Sequence, residues 1–140
     1  MMRVMAFDYG TKRVGIAVTD PLQLIATALD TVHAKDVLDY VKAYLARETV
    51  STFVVGMPRQ MDGTDSQSAP HVKGFIRSLR RTFPGTPIET IDERFTSKMA
   101  SASISQSGMP RKKRQEKGLI DSVSAVLILQ SFLEKRAFQG

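Results

Sequence analysis

Three acidic positions in this 140-residue chain stand where chemistry could be done. Asp8 closes the apolar run Arg3 to Asp8 (RVMAFD), and the pair Asp92-Glu93 follows the run Pro87 to Ile91 (PIETI). Asp121 lies within Leu119-Ile120-Asp121-Ser122-Val123, where an unpaired charge would be costly to bury. Taken singly, each has a modest role open to it: a turn-capping Asp before Tyr9-Gly10, an ion pair within Asp92-Glu93-Arg94, a helix N-cap at Asp121. Taken together they suggest something else. Three carboxylates brought to one point repel one another unless a proton or a cation compensates, and oxygen ligands of this kind suit Mg²⁺ or Mn²⁺. Two such ions, about 3.5–4 Å apart, form an apparatus for hydrolysing phosphodiesters.

The elements that must bring these acids together can be read from the same pattern. Arg3 to Asp8 and Val14 to Thr19 are β-rich and separated by Tyr9-Gly10-Thr11-Lys12-Arg13, of hairpin-loop length with a glycine able to take φ > 0. A third strand is expected from Leu24 to Val32, although its alternation is poor. Val37, Leu38, Val41, Tyr44 and Leu45 recur at helical spacing, and Thr52 to Gly56 reads as a short buried strand. From Asp65 to Phe83 a second helix is expected, with Val72, Phe75, Ile76, Leu79 and Phe83 on one stripe, Lys73, Arg77, Arg80 and Arg81 elsewhere, and Pro84-Gly85 as its stop. After the strand at Pro87 to Ile91, Thr96 caps a further helix that Gly108 and Pro110 would end. Leu119 to Leu133, apolar on nearly every side, reads as a buried final helix.

The order β-β-β-α-β-α-β-α-α predicts one α/β domain over 1–140, an antiparallel hairpin sheet extended by βαβ units with helices on its faces. Ligands of such sheets gather beyond the carboxyl ends of the parallel strands. Two of the exits carry acids, after Phe7 and after Ile91, and the final helix is long enough to bring Asp121 across the sheet.

Charge supplies the partner. Lys and Arg exceed Asp and Glu by 6 and the pI is about 9.8, which favours polyanions. Arg111, Lys112, Lys113, Arg114 and Lys117 form a basic segment, expected as a flexible loop over 108–118, and Lys12 and Arg13 stand beside the first acid. Such residues would hold a nucleic acid by its phosphates. The absence of cysteine excludes disulfides, Cys-ligated zinc and thiol nucleophiles and fits a reducing cytoplasm. No apolar run approaches the ~20 residues of a membrane span, so a soluble, cytoplasmic protein without membrane partners is expected. His33 and His71 have no partner at useful spacing and read as surface or capping residues.

Four motifs in order, Ala6-Phe7-Asp8-Tyr9-Gly10-Thr11-Lys12-Arg13-Val14-Gly15-Ile16-Ala17, Val55-Gly56-Met57-Pro58 with Met61-Asp62-Gly63-Thr64, Asp92-Glu93-Arg94-Phe95-Thr96-Ser97, and Lys117-Gly118 before Asp121-Ser122, resemble the YqgF family over nearly the whole chain. The resemblance implies a ribonuclease H-like fold: a mixed five-stranded sheet with helices on both faces. It implies a cytoplasmic nuclease that trims the 5′ end of pre-16S rRNA, free or within a pre-ribosomal particle, or, as the family was earlier described, a Holliday junction resolvase acting on branched DNA. It carries the catalytic and metal-binding carboxylates onto Asp8, Glu93 and Asp121, favouring Glu93 over Asp92, a choice spacing leaves open. Arg94 then joins the substrate-binding cations. Monomer and homodimer stay open, since paired cuts in a junction ask for a symmetric dimer and end trimming does not. Asp8-Tyr9-Gly10-Thr11 also looks like the first phosphate loop of the sugar kinase and actin superfamily, which keeps an ATP-binding phosphotransferase as an alternative. A non-catalytic nucleic-acid binder is another.

Overall fold

A computed structural model describes residues 2–58, 67–92 and 117–139, with the side chains of the last segment given over 123–136. β1 (Arg3–Tyr9) and β2 (Arg13–Thr19) form the expected hairpin, and β3 (Ala26–His33) continues it antiparallel. α1 (Val37–Leu45) then leads to β4 (Val50–Met57), α2 (Ala69–Thr82) to β5 (Ile88–Asp92), and α3 (Lys117–Gln139) follows them all. The sheet order is β3-β2-β1-β4-β5, with β1, β4 and β5 parallel. β1 is therefore the central strand, paired on both sides.

Strand alternation divides the core in two. Met5 and Phe7 of β1, Val14, Ile16 and Val18 of β2, and Phe53 and Val55 of β4 face α1 and α2, which answer with Val37, Val41, Tyr44, Val72, Phe75, Ile76 and Leu79. Phe7 meets Phe53 and Phe75 edge-on at centroid distances of 5.7 and 5.4 Å. The alternate residues Val4, Ala6, Ala17, Val54 and Ile91 face α3, meeting Ala125, Ile128, Leu129 and Phe132. This is the predicted ribonuclease H-like sheet with helices on both faces.

Several boundaries differ from the sequence reading. β3 starts at Ala26 rather than Leu24, because the backbone N–H groups of Leu22, Leu24 and Ile25 donate to the Asp20 carboxylate at 3.2, 2.8 and 2.8 Å and hold that stretch in a turn. Its weak alternation reflects an edge position. α2 begins at Ala69, with Pro70 in the first turn where its missing N–H costs nothing, while 65 and 66 lie outside the described residues. α3 begins at Lys117, so the last two residues expected in the basic loop are helical, and the remainder of 108–118, like the helix expected after Thr96, lies outside the described residues. Nor is α3 buried all round: Ala125, Ile128, Leu129 and Phe132 form one buried stripe while Val126, Leu127 and Leu133 stay half-buried. A single helix on a sheet face buries only one side of itself.

Candidate active site

Asp8 is the next-to-last residue of β1, half-buried at the carboxyl end of the central strand. The face it looks toward follows from its neighbours. Phe7 before it and Tyr9 after it lie on the α2 side, Tyr9 stacked on Phe75 at 4.5 Å, so Asp8 shares the α3 side with Val4 and Ala6. Its cross-strand partner on β2 is Gly15, and because Phe7 stands beside Val55, the residue level with it on β4 is Gly56. Both flanking positions lack a side chain. Glycine inside a strand costs stability and often marks a place where another group must come close. The sequence reading quoted both glycines in its motifs but missed this role; their presence among β-branched neighbours was the available signal.

The preceding turn is built for tightness rather than for an unusual dihedral. Gly10 is able to take φ > 0 but does not use that freedom here; its N–H donates to the Arg13 carbonyl at 2.9 Å, and a Cβ there would lie 2.8 Å from that oxygen. Any side chain at position 10 must push the hairpin open beside Asp8. The same turn holds Lys12, exposed, and β2 opens with Arg13, half-buried; the Lys12 carbonyl accepts the Ala34 N–H at 3.0 Å. His33 has the capping role foreseen for it, its Nδ1 accepting the Lys35 N–H at 3.0 Å.

At the second exit, Gly56 of β4 pairs with Ile91 and Met57 with Asp92. Ile91 packs against α3, so Asp92 turns toward the opposite side of the sheet and away from the side Asp8 uses. Glu93 and Arg94 lie outside the described residues, as do Arg111, Lys112, Lys113 and Arg114. Asp121 is described by its helix backbone alone: position 121 falls one turn before Ala125 and two before Ile128, in register with the stripe that packs on the sheet. Lys117 is likewise placed only as the first residue of α3. Among the described residues no three acidic or histidine side chains converge on a possible cation position, since two of the three proposed ligands are not among those side chains.

The donor chemistry nonetheless fits a hard divalent cation. Asp8 offers a carboxylate on a floor cleared of side chains, and α3 adds a buried hydroxyl, Ser124 Oγ, with no hydrogen-bond partner among the described residues. A polar group left open beneath the Asp121 turn is what a wet or ion-binding end of the sheet would use.

A family model described as RuvX, Holliday junction resolvase, matches residues 2–135. The chain belongs to the RuvX family. Its relatives include a protein of Bacteroides thetaiotaomicron, 44% identical over 99% of this chain and 100% of the relative, and one of Parabacteroides distasonis, 46% identical over 99% of each. Both carry the provisional name pre-16S rRNA nuclease. Among solved structures the RuvX chain is similar in fold to Thermus thermophilus RuvC in complex with a Holliday junction, with a TM-score of 0.54 and 16% identity over 98% of this chain and 96% of the other. Among the described residues of this RuvX-family chain, no helix is long and apolar enough to cross a membrane.

Proposed function

We propose that this RuvX-family chain is a metal-dependent nuclease that hydrolyses a phosphodiester near the 5′ end of pre-16S rRNA in the cytoplasm. The observation that carries this reading is the placing of Asp8: at the end of the central strand, on the α3 side, between two positions without side chains. The names of relatives over 40% identical along their whole length support the RNA substrate.

In this reading Asp8, Glu93 and Asp121 hold Mg²⁺ or Mn²⁺, two ions in the full arrangement. The turning of Asp92 to the far side of the sheet supports its neighbour Glu93 as the acid that serves the α3 side. The chemistry a bound divalent ion supplies here is Lewis-acid stabilisation of phosphate charge and a lowered pKa for the attacking water. The chain's own residues do the positioning. The rigid β1–β2 turn fixes Asp8, the glycines at 15 and 56 admit the scissile phosphate, and Lys12 and Arg13, with Arg94, Arg111, Lys112, Lys113, Arg114 and Lys117, offset the charge of the substrate backbone.

Resolution of Holliday junctions is the second reading, favoured by the description of the matching family. One experiment separates the two. End-labelled RNA spanning the 16S precursor 5′ junction and a four-way DNA junction are each incubated with Mg²⁺, Mn²⁺ or EDTA, for wild type and Asp8→Asn. RNA cleavage that needs the metal and falls about 10³-fold in the variant, equivalent to several kcal/mol of barrier, is the expected result. Paired cuts confined to the DNA junction would replace it with the resolvase, and no cleavage of either substrate under any metal would remove the nuclease reading.

A further inference from the structure

The carboxylate end of the sheet is not the one place where this molecule gathers cations. On the outer edge of β5 there is a groove of about 480 Å³ whose walls come from both sides of the sheet: Arg80 from α2, and Phe132, Lys135 and Arg136 from α3, with Glu89 and Thr90 between them. Three cations face one acid. Arg136 lies with its guanidinium 5.2 Å from the centroid of the Phe132 ring, a contact that favours its position over the groove. The strand beneath is polar as well. Phe53 N–H donates to the Pro87 carbonyl, so in a parallel ladder the peptide groups of Pro87 and Glu89 turn to β4 and those of Ile88 and Thr90 turn outward, where no strand among the described residues pairs with them.

A groove with three cations and outward N–H donors suits an extended polyanion, since each phosphate can take a charge-assisted bond and a backbone donor together. We propose that this edge groove is a second phosphodiester-binding site, which grips the substrate backbone at a distance from the cut. Arg136 stands fifteen residues along α3 from Asp121, about 22 Å of helix. The groove cations therefore lie several nucleotides from Asp121, and a strand of only about three nucleotides held at the acids falls short of them. The identity of the polyanion rests on the nuclease reading; the groove itself does not. The rival explanation for cations at a sheet edge is that they blunt it against pairing with another strand.

The test measures binding and not cutting. In an Asp8→Asn background with EDTA, fluorescence anisotropy follows the affinity for RNAs of about 3 and about 20 nucleotides across a salt series, lengths chosen to fall short of and to exceed that span. Replacing Arg80, Lys135 and Arg136 by Gln is expected to reduce the log–log salt slope on the long RNA by about 2, at about 0.7 per phosphate contact, and to leave the short RNA bound as before. Arg80→Gln alone, on the exposed face of α2, should lower the slope by about 0.7, and the charge-keeping pair Arg80→Lys with Arg136→Lys should leave it intact. An unchanged slope on the long RNA overturns the proposal, and self-association of the Gln variant in place of a slope change assigns the cations to edge protection. If wild type with Asp8 cuts no RNA while the slope still falls, the nuclease reading fails and the groove stands; cutting with an unchanged slope is the converse.

Discussion

The two faces of the sheet are built from different materials. Toward α1 and α2 the strands present Met5, Phe7, Ile16, Phe53 and Val55, and two helices cover them with aromatic and branched side chains. Toward α3 the same strands present Val4, Ala6, Ala17 and Val54, and one helix with Ala125 at its contact stripe covers them. Large side chains fill the space between two helices and a twisted sheet, and they carry most of the apolar area removed from water. Small ones let a single helix lie close to the strands. The broad face holds the fold; the narrow face sets how far α3, and with it Asp121, stands from Asp8. Stability and site geometry are thus assigned to opposite sides of one sheet.

Matched truncations would break this comparison most directly. Leu79→Ala on the broad face and Ile128→Ala on the narrow one both empty fully buried positions and should each cost about 2–5 kcal/mol in chemical denaturation. Assayed well below their melting temperatures, the first should keep its nuclease rate and the second should lose it, because only the second loosens α3. Equal losses of activity would mean that the faces do not divide the work. A smaller effect is expected on the floor of the site. Gly15→Ala and Gly56→Ala place a methyl group beside Asp8 at buried positions, and should cost about 1–3 kcal/mol of stability at most while lowering cleavage about tenfold or more. Full activity in both would show that the cleared floor serves packing alone.

The smallest effect belongs far from both faces, in the turn before β3. Three backbone N–H groups, that of Ile25 foremost, hold the Asp20 carboxyl below its ordinary value of 3.8. A depressed folded-state pKa gives stability that is fully present above the unfolded value and is lost as pH falls through the folded one. Asp20→Asn should therefore melt slightly below wild type at neutral pH, and the gap should close below pH 3.8 as the wild-type carboxyl protonates. Thermal melts across that range would check it, and a gap independent of pH would assign the effect to the amide's geometry.

What could be read from the sequence follows the same division. The broad face was legible, since α1 and α2 repeat at helical spacing and their stripes Val37, Val41, Tyr44 and Val72, Phe75, Ile76, Leu79 are buried as expected. The run from Leu119 to Leu133 was over-read, because apolar content says that a helix is covered but not on how many sides. Asp92 and Glu93 could not be told apart by spacing, and only the sheet order reveals that Ile91 serves the α3 side and sends Asp92 to the other. The edge groove had no signal in the chain at all. Arg136 is distant in sequence from Arg80 and Glu89, and they meet because β5 is an edge strand of the sheet and helices of both layers run beside it.

α3 follows all five strands along the chain, and this has a temporal meaning for a protein made from its N-terminus. The sheet can form once β5 has been synthesised, but the side carrying Val4, Ala6, Ala17, Val54 and Ile91 stays bare until α3 arrives. At about 5–20 residues per second the stretch from β5 through α3 takes roughly 2–10 s to make. During that interval the nascent chain shows an apolar sheet face and lacks Asp121. A copy cut short before α3 is therefore sticky and, in the proposed reading, lacks one of the three acids, so a nuclease that could damage the RNA around it would become competent only when the segment that seals its core is in place.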